Sequence, residues 1–169
     1  NTNAPGADDD ATGIAALTEI IRLIKASNLT FKRPLEFHAY AAEEVGLLGS
    51  RDIAATALNG NQAIASMLQL DMVGYTADTN SHSIHLITTD TSPVLVRHLK
   101  DLVSNYLDGD WKEGDLTAGT SDHRSWYRSG FHAVFAFEDP QNYNHALHTD
   151  SDKSDRLDFT LAEIGRAHV

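Results

Sequence analysis

Between Asp10 and Ser27 the residues Ile14, Leu17, Ile20, Ile21 and Ile24 recur at the spacing of one helix face, which predicts an amphipathic helix. Asp9 or Asp10 can cap its start, and Asn28 marks its end. From Arg33 to Ala42 the pattern alternates, with Leu35 and Phe37 on one side and His38 and Tyr40 on the other, as in a strand. Gly46 to Leu58 predicts a second helix, closed by the Asn59-Gly60-Asn61 turn. Met67 to Asp71 and Ser83 to Thr88 read as short apolar strands. Pro93 to Tyr106 reads as a third helix carrying Val94, Leu95, Leu99, Leu102 and Val103. Leu107 to Gly119, rich in Gly and Asp, reads as a loop, and Ser121 to Ser129 as a short helix. Ala133 to Phe137 is a strand, and Glu138 to Leu147 a polar loop leading to His148. Strands alternating with helices predict an α/β sheet layered by helices, a fold that gathers ligands at strand ends.

The acidic residues fall where those elements end. Asp9-Asp10 precedes the first helix, Glu43-Glu44 follows the Arg33 to Ala42 strand in an apolar setting, Asp71 closes LQLD, and His148 lies in NHALHTDSD. Carboxylates converging beside one imidazole repel one another and carry raised pKa values unless a strong positive charge sits among them. A pair of divalent metals supplies it. A co-catalytic zinc hydrolase needs a bridging carboxylate, terminal carboxylate and imidazole ligands, and one free carboxylate to handle the proton of a water. Glu43-Glu44 offers both a base and a ligand. Ser121, Asp122 and His123 have the composition of a hydrolase triad, but consecutive helical residues point in different directions. They are read as pocket-wall or supporting residues. His38, His82, His85, His98, His132 and His145 are read as surface or packing residues, and Asp110, Asp115, Asp150 and Asp155 as solvated loop acids.

Five strings in order, PGADDDATG, AYAAEEVGLLGS, LDMVGY, SDH and HTDSD, resemble the zinc-dependent aminopeptidases of the bacterial leucyl aminopeptidase type, relatives of glutamate carboxypeptidase and glutaminyl cyclase. The likeness runs from about Asn3 to Asp158. It implies a three-layer α/β sandwich with a mixed, mostly parallel sheet between helices, here truncated at both ends. It implies two Zn2+ ions, with Asp9 as the bridging ligand, Glu44, Asp71 and His148 as terminal ligands, and Glu43 as general base. The implied reaction removes N-terminal residues from peptides or proteins by attack of a metal-activated water. A cis peptide is implied between Asp9 and Asp10. The implied side-chain pocket is Met72, Phe135, Phe137, Tyr143 and Leu147, suited to leucine-like or aromatic groups. Alternatives are a carboxypeptidase or glutaminyl cyclase on the same scaffold, or a catalytically silent binding domain.

Two departures qualify the likeness. The family pattern has a further His ligand in a G-H-x-D-S segment upstream of the bridging Asp, and the sequence begins at Asn1 without it. One metal is therefore expected to keep Asp9, Glu44 and His148 and the other only Asp9 and Asp71, leaving the fragment impaired. The nearest family pattern also has a disulfide-braced loop with a Tyr just before S-D-H, where this chain has Leu116-Thr117-Ala118-Gly119-Thr120.

Composition narrows the partners. The 169 residues, 41% hydrophobic and 22% charged, suit one domain core. The formal charge of −11 is spread along the chain and no stretch clusters Lys and Arg with aromatics, which argues against a nucleic-acid partner. There is no cysteine, so no disulfide forms within the segment. No apolar run approaches the ~20 residues of a membrane span. Localisation is expected to be secreted or periplasmic by resemblance alone. The tail Glu163 to Val169 matches the translation of a common sequencing adapter and is expected to be non-native, leaving 1–162 as a partial zinc peptidase catalytic domain. The alternative for that stretch is a helix from Thr160 to Ala167.

Overall fold

The structure, a computed structural model, describes residues 4–79, 83–107, 110–117 and 119–159. Helix α1 spans Ala11–Ser27; the Asp10 carboxylate accepts the Gly13 N–H at its start, and Asn28 ends it in the left-handed conformation at φ 52°. Helix α2 is Leu48–Asn59, α3 is Pro93–Tyr106 with proline in its first turn, and α4 is His123–Arg128. The strands are β1 Met67–Leu70, β2 Ser83–Ile87, β3 Asp110–Gly114 and β4 Ala133–Phe137. They form one sheet in the order β1-β4-β2-β3. β1 runs parallel to β4 and β2 parallel to β3, while β2 and β4 are antiparallel. The result is a mixed, mostly parallel α/β sheet.

β4 organises the interior. Its sequence AVFAF is buried at every position, as expected of a strand covered on both faces. Val134 and Ala136 turn to one face, where they pack with Leu86 and with Val96 of α3. Ala133 turns to the other and packs with Trp126 of α4 and with Ala54 and Ala57 of α2. Phe135 and Phe137 continue on that second face and join Met72 and Ile87. Helices thus cover both faces of the sheet, and the aromatic end of β4 is left to line a cavity rather than to meet a helix.

Two predicted elements differ. Arg33 to Ala42 runs extended but carries no strand ladder among the described residues. Leu35 and Phe37 stay exposed, and the segment is held from its other side, where Trp126 Nε1 donates to the Tyr40 hydroxyl at 2.9 Å. The alternation is a true strand pattern, but a strand requires a neighbour to take its backbone bonds. Conversely, the predicted loop Leu107 to Gly119 contains β3. Its DWKEG sequence lies mostly exposed on a sheet edge, where pairing needs no apolar alternation. The non-native-tail expectation and His82 lie outside the described residues, as does Ala118 in the loop before Ser121.

Candidate active site and metal centre

Three consecutive aspartates open α1, and each has a different environment. Asp8 is fully buried; its carboxylate accepts the Gly74 N–H and the Asn144 side-chain amide, both at 3.2 Å. Asp10 caps α1 and also accepts the Met72 N–H at 3.3 Å, tying the helix start to the residue after Asp71. Asp9, between them, faces the cavity. The Asp9–Asp10 peptide is cis, as the resemblance implied. Gly13 explains the glycine of the D-D-x-x-G string: a Cβ there would lie 2.4 Å from the Leu70 carbonyl oxygen. Only glycine lets α1 start this close to the end of β1.

Glu43 and Glu44 follow the extended segment in a tight turn, in which the Gly46 and Leu47 N–H groups donate to the Glu43 carbonyl at 3.0 and 2.8 Å. Glu43 is half-buried and Glu44 is exposed on the cavity rim, so the pair is less enclosed than its apolar flanks predict. Ala42, Leu47, Met72 and His148 all have positive φ, between 51 and 62°. Such conformations raise a non-glycine residue's energy by about 1–3 kcal/mol. Each of the four lies at or near a candidate site residue.

His148 Nε2 lies 2.8 Å from Glu44 Oε2 and 3.3 Å from Asp9 Oδ2. Ligand atoms of Asp9, Glu44 and His148 are all within 4.8 Å of one another. Glu43 and Asp71 line the same cavity outside that trio. Asp71 Oδ2 accepts the Ser121 hydroxyl at 2.6 Å, while Oδ1 is buried without a hydrogen-bond partner. The cavity, about 310 Å³, is otherwise apolar where Met72, Leu116, Phe135, Phe137, Tyr143 and Leu147 meet.

The electrostatics show what the carboxylates lack. Burial, then Asp71 and Glu44, pushes Asp9 up to about 7. Burial and Asp71 push Asp10 to about 8 against the pull of the Gly13 and Met72 N–H bonds. Glu43 rises to about 8 through burial and then Asp71, Asp122, Glu44 and Asp9. Asp71 rises to about 6, chiefly by burial, with the Ser121 bond opposing. Among the described residues, no lysine or arginine lines the cavity. A divalent cation fits this donor set: clustered oxygens, one imidazole nitrogen, and an orphaned buried carboxylate oxygen on Asp71.

Ser121, Asp122 and His123 do not form a triad. Ser121 bonds Asp71, and burial drives the His123 imidazole down to about 4. That ring stacks on Phe135 with centroids 4.6 Å apart, and its Nε2 lies 3.2 Å from the Thr89 carbonyl oxygen. It packs the cavity wall.

Sequence reasoning missed a second layer of polar groups. Asp8, Glu138, Asn144 and Asp152 are all buried. Glu138 Oε1 accepts the Asn144 N–H at 2.6 Å, and burial, with Asp8 as the next cause, pushes its carboxyl to about 10. Two signals were available: a glutamate directly after five apolar strand residues, and a third aspartate in a run where a cap and one ligand need only two.

Known proteins resemble the chain over nearly its whole length. The profile of Peptidase family M28 matches residues 1–167. The chain is 37% identical over 165 residues to Leucine aminopeptidase 1 of Ajellomyces capsulatus, covering 92% of this chain and 43% of that protein. It is 34% identical over 166 residues to Leucine aminopeptidase 1 of Sclerotinia sclerotiorum, covering 93% and 43%. Among solved structures, LapA aminopeptidase of Legionella pneumophila superposes with a TM-score of 0.88 at 35% identity, over 92% of this chain and 42% of that one. LapB from the same organism gives 0.91 at 31% identity, over 95% and 44%. The chain therefore spans less than half the length of these relatives.

Proposed function

The chain belongs to peptidase family M28, and from that premise we propose that it supplies the metal site of a zinc aminopeptidase that removes leucine-like or aromatic N-terminal residues. The observation that carries the reading is the Asp9, Glu44 and His148 trio facing an apolar cavity, with Glu43 and Asp71 on the same wall. Asp9, Glu44 and His148 would hold one zinc, and Asp9 with Asp71 would contribute to a second. Bound there, zinc supplies Lewis-acid charge that polarises the scissile carbonyl and acidifies the attacking water.

The chain's own residues do the rest. Glu43 stands beside the trio without belonging to it, free to accept a proton from the water and return it to the leaving amine. Asp71 keeps one oxygen occupied by Ser121 and presents the other inward. Phe135, Phe137, Tyr143, Leu147 and Met72 enclose the substrate side chain and exclude bulk water. The leucine aminopeptidases among the relatives support the same side-chain class.

The test is zinc content and hydrolysis of a leucine chromogenic amide by the product of the complete gene. Glu43→Gln should keep its zinc and lose about 10²–10⁴-fold in kcat; unchanged turnover in that variant would refute the base. A wild-type protein that binds no zinc, or that cleaves only at C-termini, would overturn the reading itself. By ligand count, residues 1–169 alone should take up close to one zinc tightly.

A further inference from the structure

Asp152 ends the H-T-x-x-D string, lines no part of the cavity, and is fully buried. No cation pairs with it among the described residues. Its charge is met by donors instead. The Asp8 N–H reaches Oδ1 at 3.1 Å and Oδ2 at 3.3 Å, the Asp9 N–H reaches Oδ2 at 3.1 Å, and the Asn144 amide reaches Oδ1 at 3.3 Å. The Ala7 N–H adds a bond to the Asp152 carbonyl at 3.3 Å. Three successive backbone N–H groups on the approach to the central aspartate therefore end on this one residue.

Asp152 is also fixed to His148. The Thr149 N–H and hydroxyl donate to the Ala146 carbonyl at 3.1 and 2.6 Å, the Ser151 N–H donates to the Thr149 hydroxyl at 3.2 Å, and the Asp152 N–H donates to the Thr149 carbonyl at 3.4 Å. This short turn sets the distance between the imidazole and the buried carboxylate. One side chain thus joins the segment that carries Asp9 to the segment that carries His148.

We propose that Asp152 is a positioning residue for the metal site: its carboxylate fixes Asp9 against His148 in the metal-free chain, so that the ligand trio is formed before metal arrives. The inference rests on the reading that Asp9, Glu44 and His148 bind zinc. The chemistry calls for a carboxylate, because two neighbouring backbone N–H groups and the Asn144 amide must all be accepted by one planar head. An amide at position 152 has one acceptor oxygen for these three donors: placed at Oδ2 it can hold the Asp8 and Asp9 N–H groups at 3.3 and 3.1 Å, but its NH2 then faces the Asn144 amide and the shorter Asp8 contact, donor against donor. A site already ordered binds metal without the further loss of freedom that ordering its ligands would demand.

The experiment titrates zinc into the metal-free chain against a competing chelator. Asp152→Asn, measured where circular dichroism shows it folded, should bind about 10–100-fold more weakly, with an altered visible spectrum when cobalt replaces zinc. Asn144→Ala removes the bonds to Asp8, Asp152 and the Ala146 N–H but leaves both backbone donors on Asp152 and the Thr149 bonds to the Ala146 carbonyl; it should lower the unfolding midpoint while zinc affinity stays near wild type. If Asp152→Asn merely unfolds at a lower temperature and binds zinc as the wild type does, the residue is structural only and the proposal falls. Absence of zinc binding by the wild-type chain would instead defeat the metal reading, and the inference with it. A measurement on the wild type needs no folded variant: the Asp8 and Asp9 amides should already be protected from hydrogen exchange without zinc, and zinc should slow them no more than it slows the core amides of β4. Protection that appears only on adding zinc would show that metal, and not Asp152, positions Asp9.

Discussion

Glu43 sits half-buried among Asp71, Asp122, Glu44 and Asp9, and its carboxyl is pushed from 4.5 to about 8. Folding therefore favours its protonated form. The stability this contributes is fully present below about pH 4.5 and is lost as pH rises through about 8. Asp10 and Asp9 act in the same direction over windows ending near 8 and 7. The metal-free chain should therefore have a urea midpoint that falls between pH 5 and 8, and Glu43→Gln should make that fall shallower. A midpoint flat across this range would contradict the cluster. Asp9, Glu43, Glu44, Asp71 and His148 were legible because each stands in a motif at the end of an element. Asp8, Glu138 and Asn144 were not, since nothing local distinguishes a buried acid or amide from a solvated one; burial is decided by segments far away in sequence.

At the scale of elements, the helices with a continuous apolar stripe were the readable ones. The start of α1 follows from its cap: Asp10→Ala should destabilise by about 1 kcal/mol or more, because the Gly13 cap and the Met72 bond are lost together. Thermal denaturation of the metal-free chain checks this, with Asp10→Asn recovering most of the loss. β3 was hidden by its polar composition, and the segment from 33 to 42 misled because alternation reports a strand's faces and not its neighbours. That segment leaves Leu35 and Phe37 exposed, and its residues 33–40 make no backbone–backbone bond among the described residues, the condition under which extended segments pair with other chains. The chain should associate with rising concentration in sedimentation velocity, and Phe37→Lys should shift it toward monomer. A monomer at every concentration would show that the twist or flanks of the segment already block pairing.

For the molecule as a whole, the order of five short strings revealed the architecture better than any single element did. The sheet order β1-β4-β2-β3 was not readable, because short apolar strands carry no label for their partners. The whole-molecule prediction is a linkage. Zinc at about 100 times its Kd should stabilise the chain by ~2.7 kcal/mol, roughly 5–10 °C in Tm for a domain of this size. The shift should be larger at pH 8 than at pH 5.5, since protons compete for the same carboxylates and imidazole. Scanning calorimetry with zinc and with a chelator separates the two.

The bonds from the Asp8 and Asp9 N–H groups to Asp152 span 144 and 143 residues. During synthesis at ~5–20 residues per second, the aspartate turn therefore emerges about 7–30 s before the residue that holds it. By then β1, β2, β3 and β4 have all been made, since β4 ends at Phe137. A product released between Phe137 and Asp152 carries all four described strands but not the Asp152 carboxylate that accepts the Asp8 and Asp9 N–H groups. A product released before His148 lacks the Asp9, Glu44 and His148 trio as well. Placing His148 and its anchor behind β4, the last of the described strands, thus makes assembly of the Asp9, Glu44 and His148 trio wait on synthesis through Asp152, however early the strands before it are made.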